Sequence, residues 1–286
     1  MIEFRDVHAS YDGERAVLKG VSFTIGDGEF VSFVGTNGAG KSTTMRLMNG
    51  LLKPTAGEVL VDGESTAGLK VSQLARKVGF LFQNPDRQIC CNTVREELEF
   101  GFRALGTLDD AARARVDEVI GRLGFGPDDD PFLLNRGTRQ LLALASIVVL
   151  EPSIVILDEP TTGLDFRECE RVMQIVGELH RKGSTIVMVC HDMEVVADYA
   201  ERVIVMNAGT VVDDGPTFEV LRRPETLARA SLVPPQVAGI SMGAVALDPA
   251  LAETPVAEAN TLDEMVRAVM SASAGAGSAA GAEEGR

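Results

Sequence analysis

From residue 2 to residue 33, apolar and polar side chains alternate in short runs, IEFRDV, VLKGVSFTI and EFVSFV, separated by a polar turn at residues 11–14. A period of two over runs this short predicts strands, so the chain opens with a β-rich unit. EVLVDG (58–63) and VGFLFQ (78–83) predict two more strands. The period then lengthens: Val116, Val119, Ile120 and Leu123 fall on one helical face, and residues 84–150 read as a mainly helical section. Alternation returns with strand IVIL, a helix carrying Val172, Ile175, Val176 and Leu179 on one stripe, strand STIVMVC, a helix from Met193 and the hairpin RVIVMNAGTVV. Strand–helix alternation of this kind predicts an α/β fold with a parallel sheet, into which the helical section is inserted.

After Gly215 the texture changes. Pro224, Pro234 and Pro235 interrupt the chain and periodicity is weak up to Thr261, which marks an appended segment rather than core. TLDEMVRAVM has Thr261 and Glu264 at capping-box spacing and Leu262, Met265, Val266 and Val269 on one side, so a short packed helix is expected. The remaining SASAGAGSAAGAEEGR, residues 271–286, has no large apolar side chain and is expected to be disordered.

Composition narrows the classes. A chain of 286 residues with 45% hydrophobic content has enough apolar material for a substantial core. Its longest nearly apolar run, residues 141–150, is about half of a bilayer span. The first residues show no basic-then-apolar signal pattern, so a cytoplasmic location is expected, with any membrane contact made through protein partners. A formal charge of −15 argues against a nucleic-acid surface, which needs clustered Lys and Arg, and against unaided adhesion to anionic lipid. Cys90, Cys91, Cys169 and Cys190 show no C-x-x-C spacing and His8, His180 and His191 complete no metal pattern, so the cysteines read as reduced, mostly packing thiols.

The strongest chemical signal is VSFVGTNGAGKST (31–43), an apolar strand joined to a helix start by G-x-x-x-x-G-K-S. Gly35, Gly38 and Gly40 let the backbone curl until successive N–H groups, including those of Asn37, Ala39 and Thr43, face one anion at a helix N-terminus. Lys41 is then placed for β- and γ-phosphates and the Ser42 hydroxyl for Mg²⁺. Nucleotide binding follows. Downstream, strand IVIL ends in two carboxylates: Asp158 where an acid holds the Mg²⁺ shell, Glu159 where one polarises the attacking water. His191 follows the next strand within reach of a γ-phosphate, and Gln83 closes VGFLFQ, where its amide reaches both metal and water. Tyr11, in the turn before the first hairpin, either offers its face to adenine or is a surface turn residue.

Taken in order, Tyr11, GTNGAGKST, Gln83, LNRGTRQ (134–140), LDEP, TTGLD (161–165) and His191 resemble the ATPase subunit of ABC transporters. FQNPDRQI (82–89), LVPPQV (232–237) and the TLDEMV helix are similar to the energy-coupling-factor (ECF) group, which handles vitamins and transition-metal ions. The resemblance implies a P-loop NTPase (RecA-like) core with an N-terminal antiparallel β-subdomain. On it the ATPase domain is 1–230, with core 1–83 and 151–230 around a helical subdomain 84–150. A C-terminal extension, 231–270, is a candidate dimerisation element, and 271–286 a tail. It implies ATP and Mg²⁺ as cofactors and a head-to-tail pairing with a second ABC ATPase, a heterodimer being favoured over a homodimer. Each ATP would lie between one subunit's phosphate loop and the other's signature segment, to which this chain contributes Asn135 and Gly137. It further implies an integral membrane coupling subunit, docked beside Gln83, and a separate substrate-binding membrane protein, with this chain held at the cytoplasmic face of the cell membrane. Glu96 and Glu97 either meet basic residues of the docked subunit or form a solvated acidic face.

One departure stands out. Family signatures usually read L-S-G-G-Q, and here the positions are Leu134, Asn135, Arg136, Gly137 and Thr138. The alternatives to an ECF importer ATPase are the ATPase of another ABC importer or exporter, and a nucleotide sensor that holds ATP with little turnover, which the altered signature motivates.

Overall fold

The structure, a computed structural model, describes residues 1–280. Two sheets share the chain. Strands β1 (Ile2–Ser10), β2 (Ala16–Ile25), β4 (Ala56–Val61) and β5 (Glu64–Ser65) form an antiparallel sheet in the order β2-β1-β4-β5. The second sheet has the order β10-β9-β3-β8-β7-β6, with β3 (Phe30–Gly35), β6 (Val78–Leu81), β7 (Ile154–Asp158), β8 (Thr185–Val189) and β9 (Arg202–Asn207) parallel and β10 (Thr210–Pro216) antiparallel at the edge. Helices α1 (Lys41–Met48) and α2 (Val71–Leu74) precede β6; α3 (Val94–Leu105), α4 (Asp110–Leu123) and α5 (Arg136–Val148) lie between β6 and β7; α6 (Phe166–Arg181) and α7 (Met193–Tyr199) flank β8.

The parallel strands are apolar without alternation because both faces are covered. In β3, Phe30 and Val34 join the core beneath α3, α4, α5 and α6, whereas Val31 and Phe33 join the core shared with the antiparallel sheet and α1. The same split recurs in β7, Val155 and Leu157 against Ile154 and Ile156. The carboxyl ends of β3, β7 and β8 therefore emerge together between two packed layers, where open α/β sheets hold ligands.

Past β10 the chain continues as α8 (Thr217–Leu221), α9 (Pro224–Ala230), α10 (Gln236–Leu247), α11 (Pro255–Glu258) and α12 (Leu262–Ala280). Weak periodicity concealed α10 because QVAGISMGAVAL is apolar on nearly every side, leaving no stripe to detect. The helix beginning at Leu262 extends to Ala280, into the segment 271–286 that was expected to be disordered. Residues 281–286, the rest of that segment, lie outside the described residues. The apolar side of α12 is unpacked, against expectation: Leu262 is 68% exposed, with Val266 and Val269 about half exposed, while Ala268 is the buried contact. Arg222, just after α8, ties the extension down by donating to the carbonyls of Ala257 (2.8 Å) and Ala259 and to the Ser241 hydroxyl.

Candidate functional site

The loop between β3 and α1 keeps its shape because two positions exclude a side chain. Gly35 has φ +138°, and a Cβ there would sit 2.0 Å from the Met206 carbonyl oxygen; at Gly40, φ +104°, it would sit 2.5 Å from Leu18 Cδ2. Lys41, buried at the start of α1, donates its ammonium to the carbonyls of Gly35 (2.7 Å) and Thr36 (2.9 Å). Burial lowers the Lys41 pKa, opposed by the charges of Glu159 and Asp158. Ser42 Oγ donates to Asp158 Oδ1 at 3.2 Å, bringing a hydroxyl of α1 and the last residue of β7 to one point. Burial pushes the Asp158 carboxyl above its ordinary range against the Ser42 hydrogen bond. These are hard oxygen donors, to which the Gln83 amide oxygen can be added, and they suit Mg²⁺.

Glu159 is the hub. It adopts φ +52°, a left-handed conformation costly for a side chain of its size, held by its N–H donating to the Val189 carbonyl at 3.0 Å. The twist presents the carboxylate to three partners. Oε2 accepts from Gln83 Nε2 at 2.6 Å and from the Thr162 hydroxyl at 2.9 Å, and Oε1 lies 2.7 Å from His191 Nε2. A cleft of about 160 Å³ is lined by Asn37, Gly38, Ala39, Gly40, Lys41, Ser42, Thr43, Glu159 and His191, together with Val17 from β2. Val17 was not singled out in the sequence, since an apolar strand residue carries no signal until folding brings it to the site; Thr162 belongs to TTGLD but was given no role of its own.

Tyr11, Asn135 and Gly137 are not among the residues that line that cleft. Tyr11 is in the turn joining β1 to β2, inside the first hairpin rather than before it, and 56% exposed; its hydroxyl is 3.2 Å from Thr43 Oγ1 and accepts from Arg46 Nη1 at 3.2 Å. Asn135 caps α5, its Oδ1 accepting from Thr138 N at 2.8 Å, which leaves the amide N–H₂ as its donor. Gly137 is packed so closely that a Cβ would lie 1.8 Å from Glu168 Oε1. The Arg136 side chain turns back onto its own chain, donating to the Thr162 carbonyl at 3.2 Å and lying over Gly163.

The ABC transporter family matches residues 18–162. The energy-coupling factor transporter ATP-binding protein EcfA of Methanothermobacter thermautotrophicus is 40% identical over 244 residues, which is 84% of this chain and 78% of that protein. The chain belongs to the ABC transporter family. As an ABC-type ATPase its resemblance to the energy-coupling-factor type holds across most of its length, and EcfA2 of Clostridium perfringens is 41% identical over 231 residues, 78% of this chain and 81% of that protein. A putative ABC transporter ATP-binding protein of Caldanaerobacter subterraneus is 41% identical over 244 residues, but the chain spans only 43% of its length. Among solved structures, cbiO1 from Clostridium perfringens, part of the ABC transporter complex cbiONQ, aligns over 87% of this chain and 96% of its own, with TM-score 0.71 and 29% identity. The cassette MJ0796, dimeric in a post-hydrolysis state with ADP and Pi, covers 76% of this chain and 99% of its own at TM-score 0.68 and 32% identity. None of the helices among the described residues of this ABC ATPase is long and apolar enough to cross a membrane.

The segment after Gln83 is braced against α5. Asp86 pairs with Arg139 at 2.8 Å, and Gln88 donates to the Ala143 carbonyl at 2.8 Å. Beyond it, the acidic pair Glu96 and Glu97 divides: Glu96 is half-buried, whereas Glu97 is 3% exposed and forms no acidic outer face. Its Oε2 accepts from the N–H groups of Cys90 (2.9 Å) and Cys91 (3.0 Å). Cys90 is exposed rather than packed. Burial and the Glu97 charge push the Cys91 thiol up to about 12.

Proposed function

We propose that this chain is the ATP-hydrolysing subunit of an ECF-type importer, working at the cytoplasmic face of the membrane through a membrane coupling subunit, with a vitamin or transition-metal ion captured by a separate membrane protein. The observation that carries the reading is the convergence of Gln83, Thr162 and His191 on Glu159, beside Lys41, Ser42 and Asp158. Glu159 polarises the attacking water; Gln83 and His191 hold its carboxylate in one orientation and add contacts to water and γ-phosphate. Lys41 and the loop N–H groups bind the β- and γ-phosphates, and Tyr11 stacks on adenine. Bound Mg²⁺ neutralises phosphate charge; Ser42, Asp158 and Gln83 would hold it.

The separation of Asn135 and Gly137 from their own phosphate loop supports a head-to-tail dimer in which they complete the partner's site. Phe132 and Leu133, beside the signature, and Phe166, beside TTGLD, are exposed apolar residues suited to that face. Ile240, Leu247, Leu262 and Met270 offer a second apolar surface on the extension. Movement at Glu159 reaches the coupling subunit through Gln83 and the brace of Asp86 and Gln88 on α5. With a paralogue carrying L-S-G-G-Q as partner, the site using this chain's Lys41 and Glu159 is the fast one, and the one completed by Asn135 and Arg136 is slow.

Purification of the chain with its membrane partners tests this. Co-purification with two different small membrane proteins and ATP turnover in the assembled complex are expected. The altered signature favours one other reading, a nucleotide sensor, and ATP binding without turnover in that complex would select it.

A further inference from the structure

Away from the ATP cleft, three metal-binding side chains converge. Cys90 and Cys91 follow the segment that begins at Gln83, and Glu97 comes from the first turn of α3; one ligand atom from each lies within 4.8 Å of the other two. Among the described residues no other group of His, Cys, Asp or Glu comes together in this way.

The arrangement is held from several sides. Thr93 caps α3, its hydroxyl accepting from Glu96 N at 3.2 Å, and that cap sets the helical phase that turns Glu97 inward. Glu97 Oε2 then gathers the Cys90–Cys91 turn around itself through two backbone N–H groups. Ile89, buried in the core beneath α3 and α5, anchors the turn from the other side. Glu97 is almost wholly buried, yet no cation pairs with it among the described residues. A buried carboxylate is costly without a compensating charge, and two N–H donors on one oxygen supply only part of that compensation.

We propose that Cys90, Cys91 and Glu97 form a binding site for a thiophilic divalent ion of the zinc class. Two sulfur ligands select such an ion over the Mg²⁺ that the all-oxygen ATP site takes. Zinc–sulfur bonds of about 2.3 Å and zinc–oxygen bonds of about 2.0 Å put ligand atoms roughly 3.5–3.8 Å apart. Closing from no more than 4.8 Å therefore needs at most about 1 Å of ligand-atom movement, and Cys90, being exposed, has room for it. Three protein ligands leave one position open on the exposed side, for water or for a group from a docked partner. The bound ion clips the end of the Gln83 segment to α3. That places a metal-dependent restraint on the stretch whose other end touches Glu159.

The test is a titration of the reduced full-length chain with Cd²⁺, whose thiolate charge-transfer absorption counts bound sulfurs, followed by displacement with Zn²⁺. One Cd²⁺ per chain, displaced by Zn²⁺, is expected. The Cys90→Ser/Cys91→Ser double variant should lose the band while keeping its circular dichroism and melting temperature, and Cys169→Ser should leave the band intact. Glu97→Gln should weaken binding by about tenfold or more. If Glu97→Gln does not fold, the double cysteine variant decides alone. A band of parental strength in the double variant, or no saturable band in the parent, overturns the site.

Discussion

Gln83 Nε2 and Glu159 Oε2 are 2.6 Å apart, so the residue that opens the helical insertion shares a hydrogen bond with the carboxylate at the end of β7. Their strands, β6 and β7, are neighbours in parallel register, and each residue lies just past its strand's end. The ATP cleft and the helical layer thus meet at this side-chain contact, alongside those of Arg136 with the Thr162 carbonyl and Gln140 with the Pro160 carbonyl. A change in what Glu159 binds is a change in what holds Gln83.

Glu159→Gln should retain nucleotide binding and lose turnover by about 10²–10⁴-fold, because an amide keeps the shape and cannot polarise water. Phosphate release in the assembled complex, compared with nucleotide affinity by calorimetry, is the measurement. Turnover near the parental rate would remove Glu159 from the role proposed for it.

Asp158→Asn should melt at a higher temperature than the parent at pH 7 in metal-free buffer. The folded-state pKa of Asp158 is raised by burial, so its favourable contribution is present below the ordinary value of 3.8 and is lost as pH rises through the raised value. Above that window the buried charge is a cost that asparagine removes. The difference between variant and parent should shrink as pH falls toward 3.8, and a constant difference would show that charge burial is not its source.

Asn135→Ala should destabilise by about 1 kcal/mol through loss of the α5 cap, whereas Asn135→Ser, which can cap equally well, should stay near the parent. Thermal unfolding separates them, with a fall of about 2 °C for alanine. Equal midpoints would mean that Asn135 does not hold the start of this helix.

Arg222→Ala should loosen the C-terminal extension and leave nucleotide affinity unchanged, since its hydrogen bonds go to Ser241, Ala257 and Ala259 and none reaches the ATP cleft. Limited proteolysis should cut within residues 231–270 sooner than in the parent. Unchanged cleavage would show that the extension is held by other contacts.

The local chemistry of this chain was legible from residue order. A phosphate loop needs its glycines and lysine at fixed spacing, a central parallel strand needs an unbroken apolar run, and a helix cap needs its polar residue at one position, so β3, the loop and the Asp158–Glu159 strand end could be read directly. What folding alone decided lies between segments far apart in sequence. The left-handed turn at Glu159 and its contacts with Gln83, Thr162 and His191 depend on the order in which parallel strands pair, which no local period encodes. The inward phase of Glu97 against Cys90 and Cys91 depends on where α3 is capped and on what packs over it. The exposed apolar side of α12 depends on which side of the helix its neighbours leave uncovered, because an amphipathic pattern records that a face is apolar and carries no information about which molecule covers it.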